Sequence, residues 1–171
     1  MVLDVGSERP LGWCLHGLGV LLIVAPLLDL AAGVGSLNPG QVPWRFGAAG
    51  LLSGALVLPL LGFGLMLVAT AILDQPRLSR LLGVKTAVLM IGVLAILVIF
   101  GLDALQIRSQ IRMDARRAFD LASLKAILTF GFETVVLAIL SVSAFRIARA
   151  GSDRRAASRH RAPLVVPSRD P

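Results

Sequence analysis

The chain has 171 residues, is 56% hydrophobic and carries 17 Lys and Arg against 10 Asp and Glu, with a mean hydropathy of +0.83. That composition excludes an ordinary soluble domain, so the net charge of +7 is to be read side by side across a membrane and not as a nucleic-acid footprint. A single cysteine, Cys14, excludes an intrachain disulfide or a cysteine metal cluster.

The opening "MVLDVGSERP" sets Asp4 and Glu8 against Arg9, unlike a basic signal-peptide start, and no cleavage is expected. The first apolar run is Leu11 to Ala32, opened by Pro10, which suits a first helical turn. His16 is the one histidine within an apolar run. A lone neutral imidazole is a candidate axial ligand for a chlorophyll-type pigment; the plainer reading is a ring satisfied by a neighbour. No cofactor is required, and bound lipid or pigment is compatible with the sequence. Asp29 is an acid near the end of this run.

After the turn signal Asn38-Pro39-Gly40 comes Phe46 to Leu73, free of charge and longer than the ~20 residues that cross a bilayer. Either it tilts as one helix or it splits near Pro59. In the split version Trp44 to Leu56 lies along the interface and the span starts around Val57. Trp44 and Arg45 are interfacial anchor types and favour the split. Gly50 and Gly54 spell G-x-x-x-G, a spacing that allows close helix packing.

The third run, Thr86 to Leu102, has Lys85 placed to snorkel at its start. It leads into "DALQIRSQIRMDARRAF", Asp103 to Phe119. On a helix Arg108, Arg112 and Arg116 form one stripe and Ile107, Ile111, Ala115 and Phe119 another. The expectation is an amphipathic helix whose arginines, Arg117 included, meet anionic lipid headgroups or an acidic partner. The fourth run, Ala126 to Phe145, is interrupted by Glu133, an intramembrane carboxyl and a functional hypothesis by default. Beyond residue 150 a basic tail carries Arg154, Arg155, Arg159 and Arg161, again partner or lipid contacts, with a composition that reads as disordered.

With the N-terminus inside, the cytoplasmic side holds Arg9, Arg77, Arg80, Lys85 and seven arginines from Arg146 to Arg169; the other side holds Arg45, Arg108, Arg112, Arg116, Arg117 and Lys125. Eleven against six places both termini in the cytoplasm. The fold expected is an all-α membrane protein with four transmembrane helices, N-in/C-in, over residues 1–150. It includes an amphipathic extracytoplasmic helix between spans 3 and 4 and an interfacial helix before span 2, and a cytoplasmic tail follows over 151–171.

Three stretches, "LNPGQVPWRFG" (37–47), "LPLLGFGLML" (58–67) and "LDALQIRSQIR" (102–112), resemble the HpsJ-like membrane proteins of bacteria. The resemblance implies a Trp-bearing amphipathic segment before a Pro-initiated span, a link to polysaccharide export and no enzyme activity. From the residues themselves, no zinc spacing, nucleophile with a base, phosphate loop or pair of carboxylates is present. The leading expectation is a non-catalytic accessory subunit of a larger inner-membrane complex, bioenergetic, photosynthetic or respiratory. The alternatives are an accessory protein of envelope polysaccharide export and a small transporter or proton conductor built on Glu133. Other membrane subunits and anionic headgroups are the expected partners, and nucleic acid is not.

Overall fold

Apolar runs bounded by Pro, Asn-Pro-Gly and Asp-Gln-Pro signals give helices joined by short turns; the computed structural model describes residues 9–33 and 38–160, with side chains to Arg154. There are five: α1 (Arg9–Gly33), α2 (Val42–Ala55), α3 (Val57–Ile72), α4 (Pro76–Arg108) and α5 (Arg116–His160). Proline at the starts of α2 and α4 costs nothing, since those N–H groups have no partner within the helix. α1, α4 and α5 are each long and apolar enough to cross a membrane. α2 and α3 reach that length only together and are bent by 41° at Leu56. The break falls three residues before Pro59, so that proline sits in the first turn of α3, where a missing N–H is tolerated.

On α1 the distribution of side chains is inverted relative to a helix of a soluble bundle. α1 buries Gly12, Gly19 and Pro26, seven residues apart, while Trp13, Leu18, Leu21 and Leu28 point outward. Small residues inside and large apolar residues outside are what a lipid solvent permits, because helices there associate through close van der Waals contact. α1 packs along α3 in this way. A Cβ on Gly19 would stand 2.7 Å from the carbonyl oxygen of Gly62, and one on Gly62 would stand 2.6 Å from that of Gly19. The G-x-x-x-G pair anticipated for packing does not play this part. Gly50 and Gly54 are exposed, with nothing within 4 Å of either added Cβ.

α4 and α5 form the largest helix pair, an antiparallel hairpin. Ser79 Oγ donates to the Ala144 carbonyl (2.8 Å) and Ser141 Oγ donates back to the Gly83 carbonyl (3.1 Å). Two reciprocal side-chain bonds between helices hold one register, and Gly83 lies flat against Ala144 and Phe145. The core has two parts. Leu67, Leu82 and Ala144 fill the end near the α3–α4 turn, and Leu56, Leu60, Val93, Phe100, Phe130 and Leu137 fill the rest.

Three expectations are corrected. The third helix starts at Pro76, ten residues before Thr86, so Arg77, Arg80 and Lys85 lie within its first turns. No separate helix follows it. α4 ends at Arg108, residues 109–115 turn, and α5 begins at Arg116, so Arg108, Arg112 and Arg116 do not share a helical stripe. The reversal that brings α5 back onto α4 overrides the local pattern, and Ser109 Oγ marks the end by donating to the Gln106 carbonyl. Finally, α5 runs unbroken past residue 150 to His160, so the expected boundary at 150/151 falls inside a helix. Arg161 and the rest of the tail lie outside the described residues, as do the side chains of Arg155 and Arg159.

Candidate functional site at the hairpin end

Arg45 stands in the first turn of α2 and Asp103 near the end of α4. Their side chains meet in a two-pronged ion pair, Nε to Oδ2 at 2.9 Å and Nη2 to Oδ1 at 2.8 Å, with Nη1 donating to the Pro39 carbonyl at 3.2 Å. The planar fork of a guanidinium matches a carboxylate, which gives such pairs direction as well as strength. The Asp103 side chain is 6% exposed and the Arg45 side chain 34%, so the acid is the buried partner and the base caps it. One contact therefore ties the loop before α2, α2 itself and the far end of α4.

Next to it, rings fix the same junction. Phe46 stacks on Phe100 (centroids 4.8 Å apart, 15° between planes) and on Phe119 (5.1 Å, 21°), while Phe100 tilts against Phe130 at 6.1 Å. Offset stacks at these separations are favourable beyond the area they bury. Phe46 is thus a wedge from α2 held between α4 and α5. On the open side of the hairpin a second fork pairs Arg108 with Asp120, Nε to Oδ1 at 2.9 Å and Nη2 to Oδ2 at 3.0 Å, with both side chains about half exposed. Arg112 reaches Asp114 at 3.8 Å across the turn, and Met113 between them is 79% exposed. Arg116 Nε is buried without a hydrogen-bond partner, and Arg117 is exposed.

Trp44 does not simply point outward. It is half-buried and lines an apolar groove of about 310 Å³ with Leu30 of α1 and Ile96 and Ile99 of α4, the Arg45–Asp103 pair at one end. Asp29 is exposed beside a smaller groove between α1 and α2, together with Pro26 and Leu51.

Glu133 is 0% exposed, and neither of its carboxylate oxygens has a hydrogen-bond partner. It lies one turn from Phe130 and one from Leu137, both fully buried, on the α5 stripe that faces the core. Lys125 is exposed, and neither Lys125 nor Asp29 reaches it. His16 is half-buried and edge-on to Trp13 at 6.1 Å, with its Nδ1 unpartnered. Among the described residues no three His, Cys, Asp or Glu side chains gather as metal ligands. The structure brings Trp44, Arg45 and the connector arginines to one end of the bundle, and leaves His16, Glu133 and Arg154 away from it on their own helices.

Asp103, Asp120, Ser123 and the ring cluster of Phe46, Phe100 and Phe130 escaped the sequence reading, which named Phe119 only as part of an apolar stripe. Asp103 could have been noticed as the acid that ends an apolar run. Its pairing with a base 58 residues away has no signature in a single sequence.

No family model, curated protein or solved structure matches this chain. Function has therefore to be argued from the site.

Proposed function

We propose that the protein is a non-catalytic accessory subunit that scaffolds a larger assembly of a bacterial inner membrane, with a bioenergetic complex, photosynthetic or respiratory, as the host. The observation that supports this reading is the hairpin end. Its charged side chains brace one another in forked pairs, and its rings wedge three helices together. The fixed turn they hold presents Met113 flanked by Arg112, Asp114 and Arg117. An exposed apolar side chain within a polar rim is a common feature of protein contacts. The long apolar faces of α1, α4 and α5 supply the membrane anchorage.

The test is purification from native membranes in mild detergent. The wild-type chain is expected to travel with larger proteins, and Met113→Asp to be released from them while keeping its helix content. A lone monomer at every detergent strength overturns the proposal. A second reading, an accessory role in envelope polysaccharide export, is favoured by one feature. A Trp-bearing α2 set off by a bend from an apolar helix with Pro59 in its first turn is close to what the HpsJ-like resemblance implies.

A further inference from the structure

The hairpin opens on its outer side, near the turn, into a groove of about 560 Å³ between α4 and α5. Leu97, Gly101 and Leu105 form one wall and Leu124 and Ile127 the other. Two polar features break this apolar lining. At the mouth stands the Arg108–Asp120 pair, which uses Nε and Nη2 of the guanidinium and leaves Nη1 without a protein partner. Deeper, Ser123 is 7% exposed, and its Oγ makes no hydrogen bond. That sets it apart. Each of the other buried hydroxyls among the described residues, on Ser53, Thr70, Ser79, Thr86 and Ser141, donates to a backbone carbonyl. A buried hydroxyl left unpaired marks a missing partner.

The spacing of these features along the helices matches an amphiphile. Ser123 lies one turn beyond Asp120, about 4.5 Å deeper at ~1.5 Å per residue. From Arg108 down to Leu97 the groove runs about 16 Å on the same measure, roughly half of a ~30 Å hydrocarbon core, or one leaflet. A diacyl phospholipid has the same order along its length: phosphate, then ester carbonyl, then hydrocarbon. The charge selects the head. Arg108, Arg112, Arg116 and Arg117 outnumber Asp114 and Asp120 by two over this short segment, which attracts an anionic headgroup.

We propose that this groove is a binding site for one anionic glycerophospholipid. Its phosphate bonds to Arg108 Nη1, an ester carbonyl accepts from Ser123 Oγ once rotation about χ1 turns that closed-off hydroxyl toward the groove, and one acyl chain lies along Gly101 and Ile127. The inference rests on α4 and α5 spanning a membrane and not on the scaffold reading.

The experiment uses the full-length protein, purified and stripped of lipid in mild detergent, then titrated with phosphatidylglycerol or phosphatidylcholine and read by native mass spectrometry. Gly101→Leu puts its side chain into the groove, since an added Cβ there meets nothing within 4 Å and Gly101 lines that space, and Gly92→Leu adds the same bulk to α4 outside it. Phosphatidylglycerol is expected to bind wild type and Gly92→Leu alike, and to lose roughly tenfold in affinity on Ser123→Ala and more on Gly101→Leu. Equal binding by wild type, Ser123→Ala and Gly101→Leu overturns the site. Equal binding of phosphatidylcholine overturns the anionic assignment. Circular dichroism checks that Gly101→Leu is folded; if it is not, Ser123→Ala decides. A monomer that holds the lipid but travels with no other protein would end the scaffold reading and leave this one standing.

Discussion

Glu133 and Asp103 show how differently two acids can be carried by apolar helices. Asp103 is met by a guanidinium that satisfies both oxygens, and the pair also fastens α2 to α4. Glu133 is more deeply buried and neither oxygen is met. An unsatisfied buried polar group costs about 1–3 kcal/mol, whereas an apolar residue of similar size at the same point costs nothing of the kind. Glu133→Leu is therefore expected to raise stability by about 1–3 kcal/mol, measured by thermal or denaturant unfolding in micelles. Glu133→Gln, which keeps an unpaired polar group, should change it far less. A loss of stability in Glu133→Leu would show that the carboxyl makes a bond this account leaves out. If the leucine variant is more stable yet fails to assemble with its partners, the carboxyl is retained for function. The sequence made Glu133 conspicuous, since it is the only charge inside its run. Asp103 was visible only as the acid that ends an apolar run, and its role stays hidden until its distant partner is known.

At the level of helices, the glycines separate pattern from contact. Gly50 and Gly54 have the spacing of a packing motif and face open space, while Gly19 and Gly62, on different helices and outside any G-x-x-x-G, let two backbones meet. Which glycine matters depends on the rotation of each helix about its axis, and a short motif does not encode that rotation. Gly19→Leu would drive a side chain into a carbonyl oxygen, and backbone cannot yield as a flexible side chain can. A loss of about 1–3 kcal/mol is expected there, against no measurable loss for Gly50→Leu in the same unfolding assay. Equal effects would mean that the α1–α3 contact is not the tight one. The same limit explains what was legible among the elements. The apolar runs located every long helix, and the alternative of a split near Pro59, with a new helix from Val57, anticipated the break at Leu56. The stripe of arginines from 108 to 116 misled, because helical spacing persists in the sequence where the chain has to reverse. Ion pairing between Arg108 and Asp120 closes that reversal, and it depends on residues twelve apart.

For the molecule as a whole, the two ends of the bundle differ in how they handle positive charge. At the hairpin end, Arg45 and Arg108 are each locked to an aspartate and Arg112 leans toward a third. At the other end Arg77, Arg80, Arg146, Arg149 and Arg154 are exposed. The positive-inside bias counts Lys and Arg near the spans, and the greater number lies at the end holding the α3–α4 turn. In the expected orientation the hairpin end faces the far side of the membrane, and partial neutralisation by aspartates would let it carry its arginines there. The expected orientation thus has Gln75 in the cytoplasm and Met113 outside. With Cys14 replaced by serine, Met113→Cys in intact spheroplasts should react with a membrane-impermeant maleimide. Gln75→Cys should react only in inverted vesicles or after permeabilisation. The opposite pattern would turn the molecule over, and the groove at Arg108 and Ser123 would then draw its lipid from the cytoplasmic leaflet. Reaction of both cysteines from one side would mean that α4 does not cross at all.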